Sequence, residues 1–192
     1  MTQKAVSYAR WTSHVNHVNA SNTMQSWLTD QMSLTVKLMQ CCDCFRVQRL
    51  MQGNARVLQD EMQAIGLPRC IEVQQREVLL RCDEQAVVYA HTVVPLTATA
   101  SDWPFFGRLG DRSLGTTLFG DPRVRRGELQ YARLATDHPL MRRAAKALGV
   151  AITAPLFARR CLYRRRRGLL LVTEVFLPAI EQVASVSRVI QP

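Results

Sequence analysis

The stretch Leu169-Leu170-Leu171-Val172-Thr173-Glu174-Val175-Phe176-Leu177-Pro178 has the branched and aromatic composition of a β-strand, and it ends at a proline. One carboxylate, Glu174, interrupts this otherwise apolar run. A buried carboxylate needs a partner, and the run itself contains no cation. The partner of Glu174 must therefore come from elsewhere in the fold or from a ligand.

Arg76 is the cation that we expect to face Glu174. It opens a second strand-like run, Arg-Glu-Val-Leu-Leu at residues 76–80, and two such strands can lie side by side in one sheet. An Arg and a Glu facing each other across an apolar pocket suit a small molecule that carries a carboxylate and a hydroxyl. The alternative is an ion pair that only fixes strand register, and the residues alone leave both interpretations open.

The order of the predicted elements indicates an α+β fold. Hairpins at residues 76–94 and 159–177 predict a single antiparallel sheet, with helices packed on one face and covering a buried ligand pocket. The remaining predicted elements are a strand over 44–51 and helices within 24–40, 113–119 and 140–148. A chain of 192 residues forms one good core. We expect a loosely ordered tail over residues 1–22 and a single domain over residues 23–192.

Composition excludes several classes of protein. No apolar run approaches the roughly 20 residues of a membrane span, and the polar first 22 residues do not resemble a signal peptide. We therefore expect a cytoplasmic protein. We also expect a monomer. The net charge of +10 comes largely from arginines spread over several elements. Aromatic residues are only 7% of the chain, so a solvated basic surface is favoured over a specific nucleic-acid partner.

The six cysteines do not form the pattern of a metal site. Cys41, Cys42 and Cys44 lack the CxxC separation of zinc ligands, and no second ligand pair follows them at zinc-finger spacing. Their uneven distribution is also unlike a disulfide framework. We expect reduced thiols, no metal and no catalytic cysteine.

Five ordered segments resemble the chorismate lyase family, whose members release pyruvate from chorismate to leave 4-hydroxybenzoate. The resemblance covers about residues 27–178 and rests on both the order and the spacing of the segments. They are Arg76-Glu77-Val78-Leu79-Leu80, Ala90-His91-Thr92-Val93-Val94-Pro95, Leu109-Gly110 with Ser113-Leu114-Gly115 and Leu118-Phe119, Phe157-Ala158-Arg159-Arg160, and Leu170 to Pro178. The resemblance implies ubiquinone biosynthesis as the pathway and a reaction without a cofactor, because formation of the aromatic ring drives the elimination.

The same resemblance assigns roles to site residues. Arg76 would clamp the ring carboxylate of chorismate. Glu174 would bind the ring hydroxyl, and we hypothesise that it also assists proton movement as the ether breaks. The backbones of Leu114 and Leu34 would complete the ligand shell. For both leucines the sequence alone favours plain core packing.

His91 departs from the family pattern, which has Arg between a small residue and Thr-Val. The imidazole either replaces that Arg in holding the enolpyruvyl carboxylate of chorismate or is a partly exposed strand residue. Residues 120–139 also resemble an insertion relative to compact family members. The second candidate function is a non-catalytic effector-binding module of the UTRA type, and a basic nucleic-acid-binding protein is the third.

Overall fold

The structure is a computed structural model that describes residues 8–186, with side chains up to residue 183. Its strands are β1 Phe45–Arg56, β2 Glu72–Cys82, β3 Gln85–Pro95, β4 Val124–Leu134, β5 Leu156–Arg165 and β6 Gly168–Phe176. Its helices are α1 Asn22–Leu28, α2 Leu34–Met39, α3 Gln59–Ala64, α4 Leu96–Thr99, α5 Leu114–Gly120, α6 Pro139–Leu148 and α7 Ile180–Val186.

The six strands form one antiparallel sheet in the order β1-β2-β3-β6-β5-β4. The predicted α+β class, the single antiparallel sheet and both predicted hairpins are confirmed. Strand β4 was not predicted, because its segment was interpreted as an insertion. It is one of the two edge strands of the sheet and pairs with β5 along its length, apart from an irregularity between Arg126 and Leu129.

Helices lie on both faces of the sheet, and this differs from the prediction of one covered face. Helices α1, α2 and α5 share a core with alternate residues of the strands, including Val78 and Leu170. We call this side of the sheet the pocket face. Helix α6 packs on the opposite face, where Met141 meets Leu79 and Val175, and α3 borders a smaller cluster there. Two faces need cover because each central strand alternates apolar side chains between them.

Helices α2 and α5 begin next to each other over the pocket face. Each follows a serine, Ser33 or Ser113. The hydroxyls of Thr35 and Ser113 form a hydrogen bond of 2.7 Å that joins the two helix starts. A Cβ atom added to Gly115 would lie 2.9 Å from the Ser33 hydroxyl and 3.2 Å from that of Thr35. Only glycine therefore permits this close approach without displacement of a neighbour.

Part of the predicted N-terminal tail packs against the domain. The backbone of Thr12 exchanges two hydrogen bonds with Tyr131 on the edge strand β4. The Trp11 ring lies 4.4 Å from the Arg160 guanidinium, and its indole nitrogen donates to Asp60. Val18 is buried. These contacts group residues 8–22 with the domain, whereas residues 1–7 lie outside the described residues. The aromatic and β-branched residues of this polar segment supply the contacts.

No helix among the described residues has both the length and the apolar composition needed to span a membrane.

Candidate active site

A pocket lies between the pocket face of the sheet and the helices α2 and α5. It has an empty volume of about 560 Å³, including its opening to solvent. Most of the lining is apolar, and the polar exceptions are few. The charged and hydroxyl-bearing lining residues are Thr35, Arg76, Thr92, Ser113, Arg126, Arg159, Tyr163 and Glu174. An apolar hollow with a few convergent polar groups is the usual form of a small-molecule site.

Arg76 reaches the pocket from β2 and is 2% exposed. One terminal nitrogen of its guanidinium donates to the carbonyls of Gly110 and Arg112, at 3.0 and 2.9 Å. These carbonyls precede α5 and fix the orientation of the side chain. Its Nε atom is buried without a hydrogen-bond partner, and no carboxylate within residues 8–183 pairs with it. Burial lowers the pKa of Arg76 to about 10. The group is a buried cation with unused donors.

Glu174 reaches the pocket from β6, and its partner is Arg159 on β5. The Nε atom of Arg159 donates to Oε2 of Glu174 at 2.5 Å. The two residues are directly opposite each other in the register of β5 and β6. Arg159 is itself 2% exposed and lies 5.8 Å from the Phe176 ring. A charged hydrogen bond therefore fixes the orientation of one carboxylate oxygen of Glu174.

Arg159 also binds the segment that covers the pocket. Its Nη1 atom donates to the carbonyls of Trp27 and Asp30, each at 2.9 Å. These carbonyls lie at the end of α1 and just beyond it, where a helix leaves acceptors free. A single guanidinium thus joins Glu174 to the α1–α2 segment, and five N–H donors in one plane permit both contacts.

The prediction that Arg76 is the partner of Glu174 is wrong, because Glu174 pairs with Arg159. Strand β3 lies between β2 and β6, so the two backbones are two strand spacings apart, roughly 10 Å. Both side chains nevertheless line the same pocket. Arg76 aligns with Thr92 and Glu174 aligns with Ala90, and all four residues belong to the pocket face. The separation leaves room for a small ring between the guanidinium and the carboxylate.

Leu34 and Leu114 both line the pocket, each as the first residue of its helix. The structure therefore brings both predicted leucines to the cavity that Arg76 and Glu174 share. Their roles in binding a ligand stay predictions.

His91 does not line the pocket, and neither interpretation of it from the sequence was correct. Its neighbours Ala90 and Thr92 point into the pocket, so its own side chain points to the opposite face of the sheet. There it is 1% exposed. Its Nε2 atom lies 3.1 Å from Glu61, and its Nδ1 atom lies 3.5 Å from Glu77. It contributes to a buried charge cluster and cannot contact a ligand in this pocket.

The charges around His91 balance one another. Burial acts to lower the pKa of His91, but the nearby carboxylate of Glu61 outweighs burial and raises it to about 9. Burial acts to raise the pKa of Glu77, but His91 and Arg143 outweigh it and hold it at about 2. Arg143 donates to Glu77 at 2.7 Å. The cluster is an ion-paired core of the opposite face.

Sequence reasoning missed the two further arginines of the pocket, Arg159 and Arg126. Arg159 belongs to a segment that carries the family resemblance, but it received no role. Its signal was available, because the predicted hairpin places it opposite Glu174. Arg126 lies on β4, the strand that was interpreted as an insertion.

The comparison with known families fits this site. A model of the family described as chorismate lyase matches residues 5–186. This chain belongs to the chorismate lyase family. Among its relatives is a probable chorismate pyruvate-lyase of Ralstonia nicotianae, which is 50% identical over 157 residues and covers 80% of each chain. Another is a probable chorismate pyruvate-lyase of Cupriavidus metallidurans, which is 44% identical over 88% of this chain and 80% of the relative.

Solved structures share the fold of this chorismate lyase family member at low identity. The C-terminal domain of PhnF has a TM-score of 0.53 and 16% identity, and the match covers 68% of this chain and 80% of that one. A gene product of Staphylococcus aureus has a TM-score of 0.51 and 10% identity, over 77% and 89% of the two chains. These two structures support the fold alone.

Proposed function

We propose that this protein is a chorismate pyruvate-lyase that eliminates pyruvate from chorismate and leaves 4-hydroxybenzoate, the first committed step of ubiquinone biosynthesis. Membership of the chorismate lyase family and relatives of that name at 40–50% identity support this function. The observation that carries it is the presence of Arg76 and Glu174 in one largely apolar pocket.

The two groups suit opposite ends of the ring. The free donors of Arg76 face the ring carboxylate, and the preset carbonyl contacts of its guanidinium reduce the entropy lost on binding. Glu174 accepts a hydrogen bond from the ring hydroxyl through the oxygen that Arg159 leaves free. The substrate is thereby held along the axis from carboxylate to hydroxyl.

The reaction needs orientation more than activation. The ether bond between the ring and the enolpyruvyl group breaks, and the hydrogen leaves the neighbouring ring carbon, so the ring becomes aromatic. The enolpyruvyl fragment gains one hydrogen and departs as pyruvate. Holding the ring and its side chain in a reactive geometry accelerates such a step. Glu174 lies at the hydroxyl-bearing carbon, which loses its hydrogen, and is the group placed to assist that movement.

Arg159 acts through Glu174 as a positioning residue. Its ion pair fixes the carboxylate, and its bonds to Trp27 and Asp30 hold the cover closed over the pocket. We expect tight retention of 4-hydroxybenzoate, with release limited by opening of the α1–α2 segment. The monomeric state and the cytoplasmic location stay predictions.

The second candidate is a non-catalytic module that binds a small carboxylate, because UTRA-like domains share the fold. One scaffold supports both catalysis and sensing, so the fold cannot separate the two functions. A lyase converts chorismate to products, whereas an effector module only binds its ligand, so turnover of chorismate distinguishes the two candidates.

The deciding experiment follows 4-hydroxybenzoate and pyruvate together after chorismate is added, in the presence of a metal chelator. Wild-type protein is compared with Arg76→Ala and Glu174→Ala. We expect equal amounts of the two products and losses of about a hundredfold or more in both variants. Saturable binding of 4-hydroxybenzoate that needs Arg76, without any turnover, would instead support the effector module.

A further inference from the structure

Chorismate has two carboxylates, and the contacts described above account for only one. Arg76 suits the ring carboxylate, and Glu174 suits the ring hydroxyl. The second carboxylate belongs to the enolpyruvyl group, which leaves as pyruvate. A buried carboxylate without a partner is strongly unfavourable, so a cation is expected near it.

Arg126 is the remaining arginine of the pocket that is not committed to a carboxylate. Arg159 is bound to Glu174, and His91 lies on the other face of the sheet. No carboxylate within residues 8–183 pairs with Arg126, although its side chain lines the pocket. Its Nε atom is buried without a hydrogen-bond partner among the described residues. Among the described residues, Arg76 and Arg126 are the pocket arginines with a buried nitrogen that has no hydrogen-bond partner.

The contacts of Arg126 place it at the rim of the pocket. Its Nη1 atom donates to the carbonyl and the side-chain oxygen of Gln31, in the link between α1 and α2. The guanidinium carbon lies 5.6 Å from the centre of the Phe119 ring, which is 46% exposed at the end of α5. The side chain thus contacts the link between α1 and α2 as well as α5, which lie over the pocket. A group bound there would contact the mouth of the pocket.

The order of the strands agrees with the shape of the substrate. Arg76 lies on β2 and Glu174 lies two strands away on β6. Arg126 lies two strands further across the sheet, on β4, and it is level with Leu170 of β6, four residues along the strand from Glu174. In chorismate the ether carbon is adjacent to the carbon that bears the hydroxyl. A ring held between Arg76 and Glu174 can therefore direct its ether side chain toward β4.

We propose that Arg126 binds the enolpyruvyl carboxylate of chorismate and thereby distinguishes the substrate from the product. The inference rests on the proposed function for the orientation of the ring. It assigns to this chain a substrate contact that the product 4-hydroxybenzoate cannot make. When the enolpyruvyl group leaves as pyruvate, the bound ligand would lose one of its two carboxylate contacts with the protein in each turnover.

The test compares two ligands that differ in the second carboxylate. The variants Arg126→Gln and Arg126→Lys are purified, and the KM for chorismate is measured beside the Kd for 4-hydroxybenzoate. We expect Arg126→Gln to raise the KM for chorismate at least about tenfold and to change the Kd for 4-hydroxybenzoate less than twofold. Arg126→Lys keeps the charge and should restore part of the loss. Equal changes for both ligands would overturn the proposal, since a purely structural role predicts them.

Arg125→Gln is the matched control. It removes the same charge from the neighbouring position of β4, but Arg125 is exposed and does not line the pocket. Arg125→Gln should change the KM for chorismate by less than about twofold. The change should be smaller still at higher salt, which screens surface charges. If Arg125→Gln raises the KM as much as Arg126→Gln does, the long-range field of the basic surface explains the effect and the proposal fails.

Measurements of binding and of turnover separate a failure of the proposed enzyme function from a failure of the Arg126 contact. If wild-type protein binds chorismate without converting it, the same comparison is made with Kd values for both ligands. A selective loss of chorismate binding in Arg126→Gln would then support the contact even though the enzyme function had failed. Normal turnover with an unchanged KM in Arg126→Gln would refute the contact and leave the function intact.

Discussion

The two faces of the central sheet both bury charged side chains, but they use them differently. On the opposite face, His91 lies between Glu61 and Glu77, and Arg143 completes the cluster. On the pocket face, Arg76 lies against an open cavity with donors to spare. Charges that neutralise one another hold the fold together, whereas a cation without a carboxylate partner is available to a ligand. The pocket face thus combines one ion pair, Arg159–Glu174, with a guanidinium that has no carboxylate partner within residues 8–183, whereas the charges around His91 are all paired.

The largest expected effect comes from removing His91. His91→Ala should lower the free energy of unfolding by about 3–5 kcal/mol, because Glu61 loses a buried partner on the opposite face. The measurement is urea unfolding, with the KM for chorismate determined on the folded protein. A large rise in KM without a loss of stability would contradict the assignment of His91 to the fold.

A smaller and more selective effect is expected for Arg159→Lys on the pocket face. Lysine can replace one of the two contacts, to Glu174 or to the cover, but not both. Affinity for 4-hydroxybenzoate should fall about tenfold, and affinity for benzoate, which lacks the hydroxyl, should fall less. Calorimetric titration with both acids measures the difference.

Arg160→Lys is the control for that prediction. Arg160 is the next residue of β5 and is also buried, but it bonds Gln130 and Asp60 on the other face. Arg160→Lys should lower the affinity for both acids equally or leave both affinities unchanged. A preference for one acid that changes as much in Arg160→Lys as in Arg159→Lys would remove the distinction between the faces.

The stability of the protein should also depend on pH through His91. The pKa of His91 is about 9 in the folded protein and about 6.5 when unfolded, so its contribution is complete below pH 6.5 and is lost as the pH rises through 9. The loss should be smaller than for His91→Ala, since a neutral imidazole keeps one donor. Unfolding of wild type and His91→Gln across pH 6–10 tests this. Parallel curves would show that His91 does not titrate as described.

The smallest effect is expected for Gly115→Ala. The added methyl group would press on Ser33 and Thr35 and push the starts of α2 and α5 apart. Rotation of the Ser33 side chain can absorb part of the strain, so we expect the release rate of 4-hydroxybenzoate to rise only about threefold. Stopped-flow displacement measures that rate. Gly53→Ala is the control, because a Cβ atom there meets nothing within 4 Å.

Much of the site could be predicted from the sequence because strand patterns and family segments mark it directly. Glu174 and Arg76 were predicted in this way, and so were Leu34 and Leu114; all four line one pocket, and their roles in binding stay predictions. The true partner of Glu174 was within reach, since the predicted β5–β6 hairpin fixes a register that places Arg159 opposite Glu174. The predicted sheet placed Arg76 beside Glu174 instead, whereas β3 lies between their two strands in the structure.

Other features depend on geometry that the sequence pattern hides. The sheet face on which His91 lies depends on the register of β2 and β3. The turn between these strands contains no glycine, and Asp83 adopts a φ of 54° there. The segment of β4 was interpreted as an insertion, and the irregularity between Arg126 and Leu129 breaks the alternation that would mark it as a strand. Gly127 lies within that irregularity, and a Cβ there would be 2.9 Å from the carbonyl of Leu162.

The strand order has a consequence for the folding kinetics. Strands β1, β2 and β3 are neighbours in sequence, as are β4, β5 and β6, and only the β3–β6 pairing joins the two sets. Arg76 belongs to the first set, and Glu174, Arg159 and Arg126 belong to the second. Pairings close in sequence form fastest, so the β3–β6 seam is expected to close late. Competence to bind 4-hydroxybenzoate should then appear only in the final phase of refolding, which makes the ligand a reporter of that last step.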